Sequence, residues 1–413
     1  MAFGDSPHDE ALRQAWREFC ARLQDAGDRV FNDFNPANPL QRADGFRFLT
    51  QNLGQAFDLA LETKDTRYPV IHAFCTPFCK LGGDAADFSY HQAWIDGDSV
   101  YRISGNRGTA RFLNLTVQGP RPDKMPGTDT RSLHEPFGDI PEANLFGQQL
   151  EAAADGSFEL YLGGAKRGPN WLATTPGTRK LFIRQGFDRW DERPAQLRID
   201  RLGMDSPRPL PTPDDMVSSV GWAERFVAGL MSDWPEHPYL YSKASTNPAN
   251  VNVFPPEDPA GDAGADQRRG RVVANMCWRL GTDEALVVEF DRHDGFWMVT
   301  NMGAFFNSMD YLYRPVSYTP SRATVDPDGK IRLVLCHDDP GLHNWVDTQR
   351  FELGNLTYRN VQGSVPTAIR TQLVKRAQLD EALPRDAARV TPAERIAQLR
   401  ERFDGIRRQR MGL

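Results

Sequence analysis

At 413 residues, with 40% apolar and 25% charged residues, the chain is too long for one ordinary core and has the composition of a soluble globular protein. Its 49 basic and 55 acidic residues give a formal charge of -6 without long blocks of one sign, which argues against the concentrated basic face a nucleic-acid partner needs. No apolar run approaches the roughly 20 residues that span a bilayer, so no membrane partner is expected. The opening MAFGDSPHDEALRQAW lacks the basic and apolar segments of a secretory signal. Cys20, Cys75, Cys79, Cys277 and Cys336 are therefore expected as reduced thiols in a cytoplasmic protein. Cys75 and Cys79 have no second ligand pair at zinc spacing.

In chain order, the first predicted element is a helix, because Leu12, Trp16, Phe19, Cys20 and Leu23 recur every three or four residues. Phe46, Leu49, Leu53, Phe57 and Leu61 predict a second helix, and residues 1–67 form an N-terminal helical segment. A strand-rich block follows over 68–205. Asp-Gly pairs at 96–97, 155–156, 294–295 and 328–329 each precede a short β-rich run, a hairpin signal because both residues tolerate positive φ. Thr212-Pro213 opens a third helix, with Val217, Val220, Phe226, Val227 and Leu230 on its buried side. That helix and the Pro/Gly-rich STNPANVNVFPPEDPAGDAGADQRRG make up 206–269. A second strand-rich block covers 270–365, where KIRLVLC alternates as a half-buried antiparallel strand. The tail, 366–413, restarts as a helix at Thr391-Pro392-Ala393-Glu394, a capping box, with Ile396, Leu399, Phe403 and Ile406 as its seam. RERFDGIRRQR at its end is expected to be a solvated helix terminus. No fixed-period repeat is apparent. The fold class expected is β-dominated α+β, with two antiparallel β-sandwich or jelly-roll-like lobes flanked by N-terminal, middle and C-terminal helices.

Three stretches together resemble the bacterial family called domain of unknown function 1214, often found paired with domain of unknown function 1254. They are IDGDSVYRISGNRGTARFLNLTVQG, GPNWLATTPGTRKLFIRQGFDRWDERPAQLRIDRL and GFWMVTNMGAFFNSMDYLYRPVSYTPSRATVDPDGKIRLVLCHDDPGLHNWVDT. The resemblance implies a β-sandwich architecture and no particular reaction. The family's Gly-Asp-Asn-Pro-Asp segment is replaced by Gly83-Asp84-Ala85-Ala86-Asp87.

Residues 336–347, CHDDPGLHNWVD, concentrate the side chains that could carry chemistry. A metal would use His337, Asp338 or Asp339, His343 and Asp347, but the chain has no His-x-His, and no metal or other cofactor is expected. Structurally, Asp339 before Pro340-Gly341 suits a type II turn, Trp345 pins the loop, and Asn344 and Asp347 bond backbone. For acid–base work His337 is the candidate, oriented by Asp338 or Asp310. Tyr90 and His91, adjacent on a strand, point to opposite faces. Arg184 and Arg314, among apolar neighbours, each need a carboxylate from the protein or a ligand.

No nucleophile elbow, Walker loop, Rossmann fingerprint or His-Glu-x-x-His helix is present. The expectation is a cofactor-independent lyase, isomerase or hydrolase acting on a small, partly apolar metabolite. His337, Asp339, Asp310 and Arg314 would be the catalytic centre. Trp345, Asn344, Trp171, Asn170, Tyr90, His91, Asp87 and Arg184 would line the substrate site. The alternative is a non-catalytic protein binding a carbohydrate or lipid-like ligand. A homodimer is the default assembly.

Overall fold

The computed structural model describes residues 4–120, 139–236, 247–255, 271–361 and 368–412, together with 238, 242 and 244. Helix α1 (Asp9–Asp28) is followed by α2 (Pro39–Phe57), which starts where the Asn38 side chain accepts from the Leu40 and Gln41 amides. The strands that follow are β1 (His72–Cys75), β2 (Phe88–Trp94), β3 (Tyr101–Asn106), β4 (Phe112–Gly119), β5 (Ile140–Phe146), β6 (Ser157–Leu162), β7 (Trp171–Leu172), β8 (Lys180–Gly186) and β9 (Gln196–Arg201). Helix α3 (Pro213–Asp233) leads to the second strand block. That block holds β10 (Arg271–Arg279), β11 (Glu284–Asp291), β12 (Phe296–Met302), β13 (Ser317–Tyr318), β14 (Lys330–Cys336), β15 (Trp345–Asp347), β16 (Leu353–Val361) and β17 (Arg370–Lys375). Helix α4 (Pro392–Ile406) closes the chain. Both α3 and α4 open on capping boxes, Thr212 with Asp215 and Thr391 with Glu394.

The fold is mostly β, with four sheets among the described residues and helices at the N-terminus, middle and C-terminus, in a β-sandwich-like α+β arrangement. The first lobe has sheets β1-β2-β8-β4-β5 and β7-β6-β3-β9, and the second has β10-β16-β12-β13 and β15-β14-β11-β17. Apart from β1, these orders coincide when eight is added to each strand number. Even the parallel contacts match, β6 with β7 and β14 with β15. The chain is therefore an internal duplication at the level of topology, although its sequence shows no period.

Apolar residues of alternating strands fill each sandwich. Ile103, Leu115, Leu160 and Ile183 belong to the first core, and Trp278, Trp297, Leu333 and Tyr358 to the second. A third core lies between the lobes and under the helices, with Phe88, Phe112, Phe296, Met298, Phe48 and Phe226. The loop Gly83–Asp87 helps to fasten the lobes, since Asp84 accepts from the Ser308 amide and hydroxyl at 2.9 and 2.6 Å.

Several expectations are corrected. The Asp-Gly turns do not make hairpins between paired strands. Each carries the chain from one sheet of a lobe to the other, so positive φ at Gly156 and Gly329 turns a corner without setting a register. The second lobe runs past 365, because β17 pairs with β11. Its largely exposed Arg-Thr-Gln-Leu-Val-Lys carried no burial signal. On α1 only Phe19 of the predicted stripe is buried and Trp16 is 55% exposed, because the helix packs mainly on α3. Nor is the basic tail solvated. Arg402, Gly405, Ile406, Gln409 and Arg410 are buried, a three-and-four spacing that forms a stripe despite its charge. Most of the Pro/Gly-rich loop, 256–270, lies outside the described residues. No described helix is long and apolar enough to cross a membrane.

Candidate functional site

At the end of β14 the chain leaves the sheet at His337, turns through Asp339-Pro340-Gly341, and returns as β15 at Trp345. Gly341 has φ +71°, and its amide donates to Asp339 Oδ1 at 2.9 Å, as the turn reading required. The Trp345 indole donates to the Cys336 carbonyl at 3.1 Å and pins the loop. Asn344 accepts from the Thr324 amide and donates to the Thr324 and Arg332 carbonyls.

His337, Asp338, Asp339, Trp345 and Asp347 line an open pocket of about 360 Å³ with Arg314, Gln349 and Arg350. His337 Nδ1 lies 2.7 Å from the Thr348 hydroxyl, which sets the ring's orientation. The pocket's carboxylates are each engaged by an arginine. Asp347, buried, meets Arg314 at 2.7 Å, Asp338 meets Arg350 at 2.8 Å, and Asp339 meets the buried Arg395 at 2.9 Å. His337 is thus fixed by a threonine, and the His–Asp dyad that the acid–base reading requires is not formed among the described residues. Asp310 stands outside the pocket lining; its amide donates to the Gln349 side chain and its carbonyl accepts from the Arg314 amide. Gln349 and Arg350 both have left-handed backbones, φ +54° and +60°, a strain non-glycine residues rarely carry in sequence.

The other expected site residues lie elsewhere. Asn170 immediately precedes and Trp171 starts β7, the counterpart of β15, and the pair repeats the hydrogen bonds of Asn344 and Trp345. Asn170 accepts from the Glu151 amide and donates to the Glu151 and Glu159 carbonyls, while Trp171 donates to Gly163. The Asn-Trp pair is a structural device used in both lobes. In the matching register Gly164 stands where the second lobe has His337, and Ala173 where it has Asp347.

Tyr90 and Arg184 are cross-strand neighbours on the face of β2 and β8 that looks toward the other lobe, where Arg184 lies 4.2 Å over the Phe182 ring. The Tyr90 hydroxyl accepts from the Ala85 amide. His91 points into the first sandwich beside Ile183, where burial, and secondarily His72, pushes its pKa down to about 4.

Asp87 is fully buried, and its Oδ1 pairs with Arg322 at 2.6 Å and Arg410 at 3.9 Å. Arg322 and Arg402, the Trp190 ring they approach, and Arg410 over the Phe187 ring were not foreseen. The buried three-and-four spacing of the tail was the available signal. Among the described residues, no group of three or more His, Cys, Asp or Glu side chains is placed to hold a metal.

Residues 86–185 match the family model described as Protein of unknown function (DUF1214). The crystal structure of an uncharacterised protein from Burkholderia cenocepacia is similar with a TM-score of 0.78 and 30% identity, covering 90% of this chain and 99% of that one. The VPA0106 protein from Vibrio parahaemolyticus aligns with a TM-score of 0.42 and 13% identity, over 86% of this chain and 100% of that one. No curated protein matches the chain.

Proposed function

We propose, from the premise that the chain belongs to the Protein of unknown function (DUF1214) family, that it binds a small hydroxyl-rich organic molecule, such as a carbohydrate, in the His337 pocket. The carrying observation is the difference between the lobes. The Asn-Trp anchor is common to both, while His337 and Asp347 replace Gly164 and Ala173 only where the pocket lies. Gly164 turns with φ +63°, a left-handed backbone that His337 does not share, so the two chains part at this position and the second lobe alone carries an imidazole there. Asp347 does local work, accepting from the Gln349 amide at 2.7 Å, and holds Arg314 at the pocket. The pocket's charges are matched arginine to aspartate, so it offers paired donors and acceptors without calling for a counter-ion. Trp345 supplies an aromatic wall and the volume suits a small ligand. All five cysteines are free, which fits a reducing cytoplasmic compartment.

The test is calorimetric titration with a panel of neutral sugars and sugar alcohols against the wild type, His337→Gly and Asp347→Ala. One class should bind the wild type, and both variants should weaken it about tenfold or more, with His337→Gly melting close to the wild type and Asp347→Ala, which strips Arg314 and the Gln349 amide of their partner, melting lower. Failure of every compound to bind, or equal binding by the variants, would overturn the proposal. A second reading, acid–base turnover of the bound molecule as a lyase, isomerase or hydrolase, is favoured by one observation: the Thr348 contact fixes the His337 ring and leaves Nε2 for proton transfer. Mass analysis of the incubated ligand, with His337→Gln as control, decides it.

A further inference from the structure

On the other side of the 336–347 loop lies a second cleft, of about 530 Å³, whose walls include Trp190, Arg322, His343, Arg395, Leu399 and Arg402. We propose that it binds a small organic oxyanion, a carboxylate or phosphate ester whose apolar part lies against Trp190 and Leu399. The site is separate from the His337 pocket and does not rest on the function proposed there.

Arg402 and Arg410 are buried and Arg322 is half-buried, and among the described residues Asp87 is the carboxylate that faces them. Arg402 donates to Ser317 Oγ and to the Ser317 carbonyl, at 3.1 and 2.7 Å, both neutral acceptors. Arg410 donates to the Ala86 carbonyl at 2.8 Å. Other charges at the cleft have partners of their own: Arg395 has Asp339, and Arg189 has Asp191 at 3.0 Å. Glu401 stands exposed at the rim. Burial, and then mutual repulsion from Arg322, moves Arg402 down to about 10. Burial likewise takes Arg410 to about 10, with Asp87 opposing the shift.

Buried charge without a counter-charge is expensive, and proteins keep it where something supplies the opposite sign. Two arginine planes are already ordered on Trp190, with Arg322 at 4.1 Å and Arg402 at 5.3 Å from the ring centroid. The Arg322 side chain is only 9% exposed, and its Nη1 has no hydrogen-bond partner among the described residues. Prepositioned guanidinium groups beside an aromatic face suit a planar oxyanion on an apolar body.

The experiment titrates the full-length protein with benzoate, phenyl phosphate and inorganic phosphate at fixed ionic strength, with benzyl alcohol as the neutral control. At least one organic anion should bind saturably and benzyl alcohol should not, and a sugar bound at the His337 pocket should not compete. Inorganic phosphate binding as tightly as phenyl phosphate would remove the apolar part of the proposal. Arg322→Met should weaken the anion about tenfold. Glu401→Gln, on the exposed rim where folding is not at stake, should tighten it about threefold. The proposal is overturned if no organic anion binds, or if Glu401→Gln leaves the affinity unchanged, whether or not Arg322→Met folds.

Discussion

Asp87→Asn replaces the one carboxylate that, among the described residues, pairs with this arginine group by an amide of the same shape. Asp87 is 0% exposed, with Arg322 at 2.6 Å, Arg410 at 3.9 Å and the Ser317 hydroxyl at 3.3 Å. At an effective dielectric of about 20 the gross attractions are roughly 6 and 4 kcal/mol. Dehydration of the ions cancels much of that, and breaking such a buried pair from one side costs about 3–5 kcal/mol net, because the arginines stay buried and unmatched. Urea unfolding followed by tryptophan fluorescence and by far-UV circular dichroism should therefore show Asp87→Asn lower by about 3–5 kcal/mol with a similar m-value. Coincidence of the two probes tests whether one transition describes both lobes. Stability within about 0.5 kcal/mol of the wild type would refute the charge accounting, since it would mean the arginines are compensated elsewhere.

Three further outcomes are expected. Gly83 has φ +68°, and an added Cβ would meet the Phe306 ring at 2.5 Å, so Gly83→Ala should lose about 2–4 kcal/mol in the same urea assay. His91, neutral in the fold, should make stability fall as pH drops from 6.5 to about 4, because there the unfolded chain takes up a proton that the folded chain refuses. The effect is at most about 3 kcal/mol, reduced by the ring's partial exposure, and His91→Gln should flatten that part of a plot of urea midpoint against pH. Gly405 lets α4 approach Trp190, where a Cβ would fall 2.5 Å from the ring; Gly405→Ala should cost about 1–3 kcal/mol and weaken organic-anion binding together with stability.

Much of the fold was legible because local signals and burial agree. The helix start at Thr212-Pro213 and the capping box at Thr391 lie where the pattern placed them, and KIRLVLC is β14. Signals that carry local conformation without pairing information misled. An Asp-Gly turn has the same residues whether it joins neighbours in one sheet or crosses to the opposite one. The exposed edge strand β17 has too little apolar content to announce itself. For the site, proximity in sequence was enough to gather His337, Asp339, Arg314 and Trp345 at one pocket. Asp87 with Arg322, Arg402 and Arg410 was not legible, because partners more than two hundred residues apart share no local pattern and arginine ordinarily signals solvent.

The duplication gives the molecule its own internal comparison. Positions alike in both lobes answer to the fold: Asn170 and Asn344 hold the same three backbone groups, and Trp171 and Trp345 cap the same strand. Arg184 and Arg359 likewise occupy matching registers of β8 and β16 and face the seam between lobes, which identifies them with the joining of the halves. Positions that differ mark where the lobes diverge. Gly164 turns with φ +63° where His337 does not, and Ala173 stands against Asp347; His337 and Asp347 both lie in the pocket. The two clefts then differ in kind. The His337 pocket pairs its charges internally, which suits a ligand read by hydrogen bonds, whereas the cleft at Trp190 rests on cations matched incompletely by Asp87, which suits a ligand that brings charge. Because Asp339 belongs to the first and Arg395 to the second, and the two are joined at 2.9 Å, the 336–347 loop is the physical link between them.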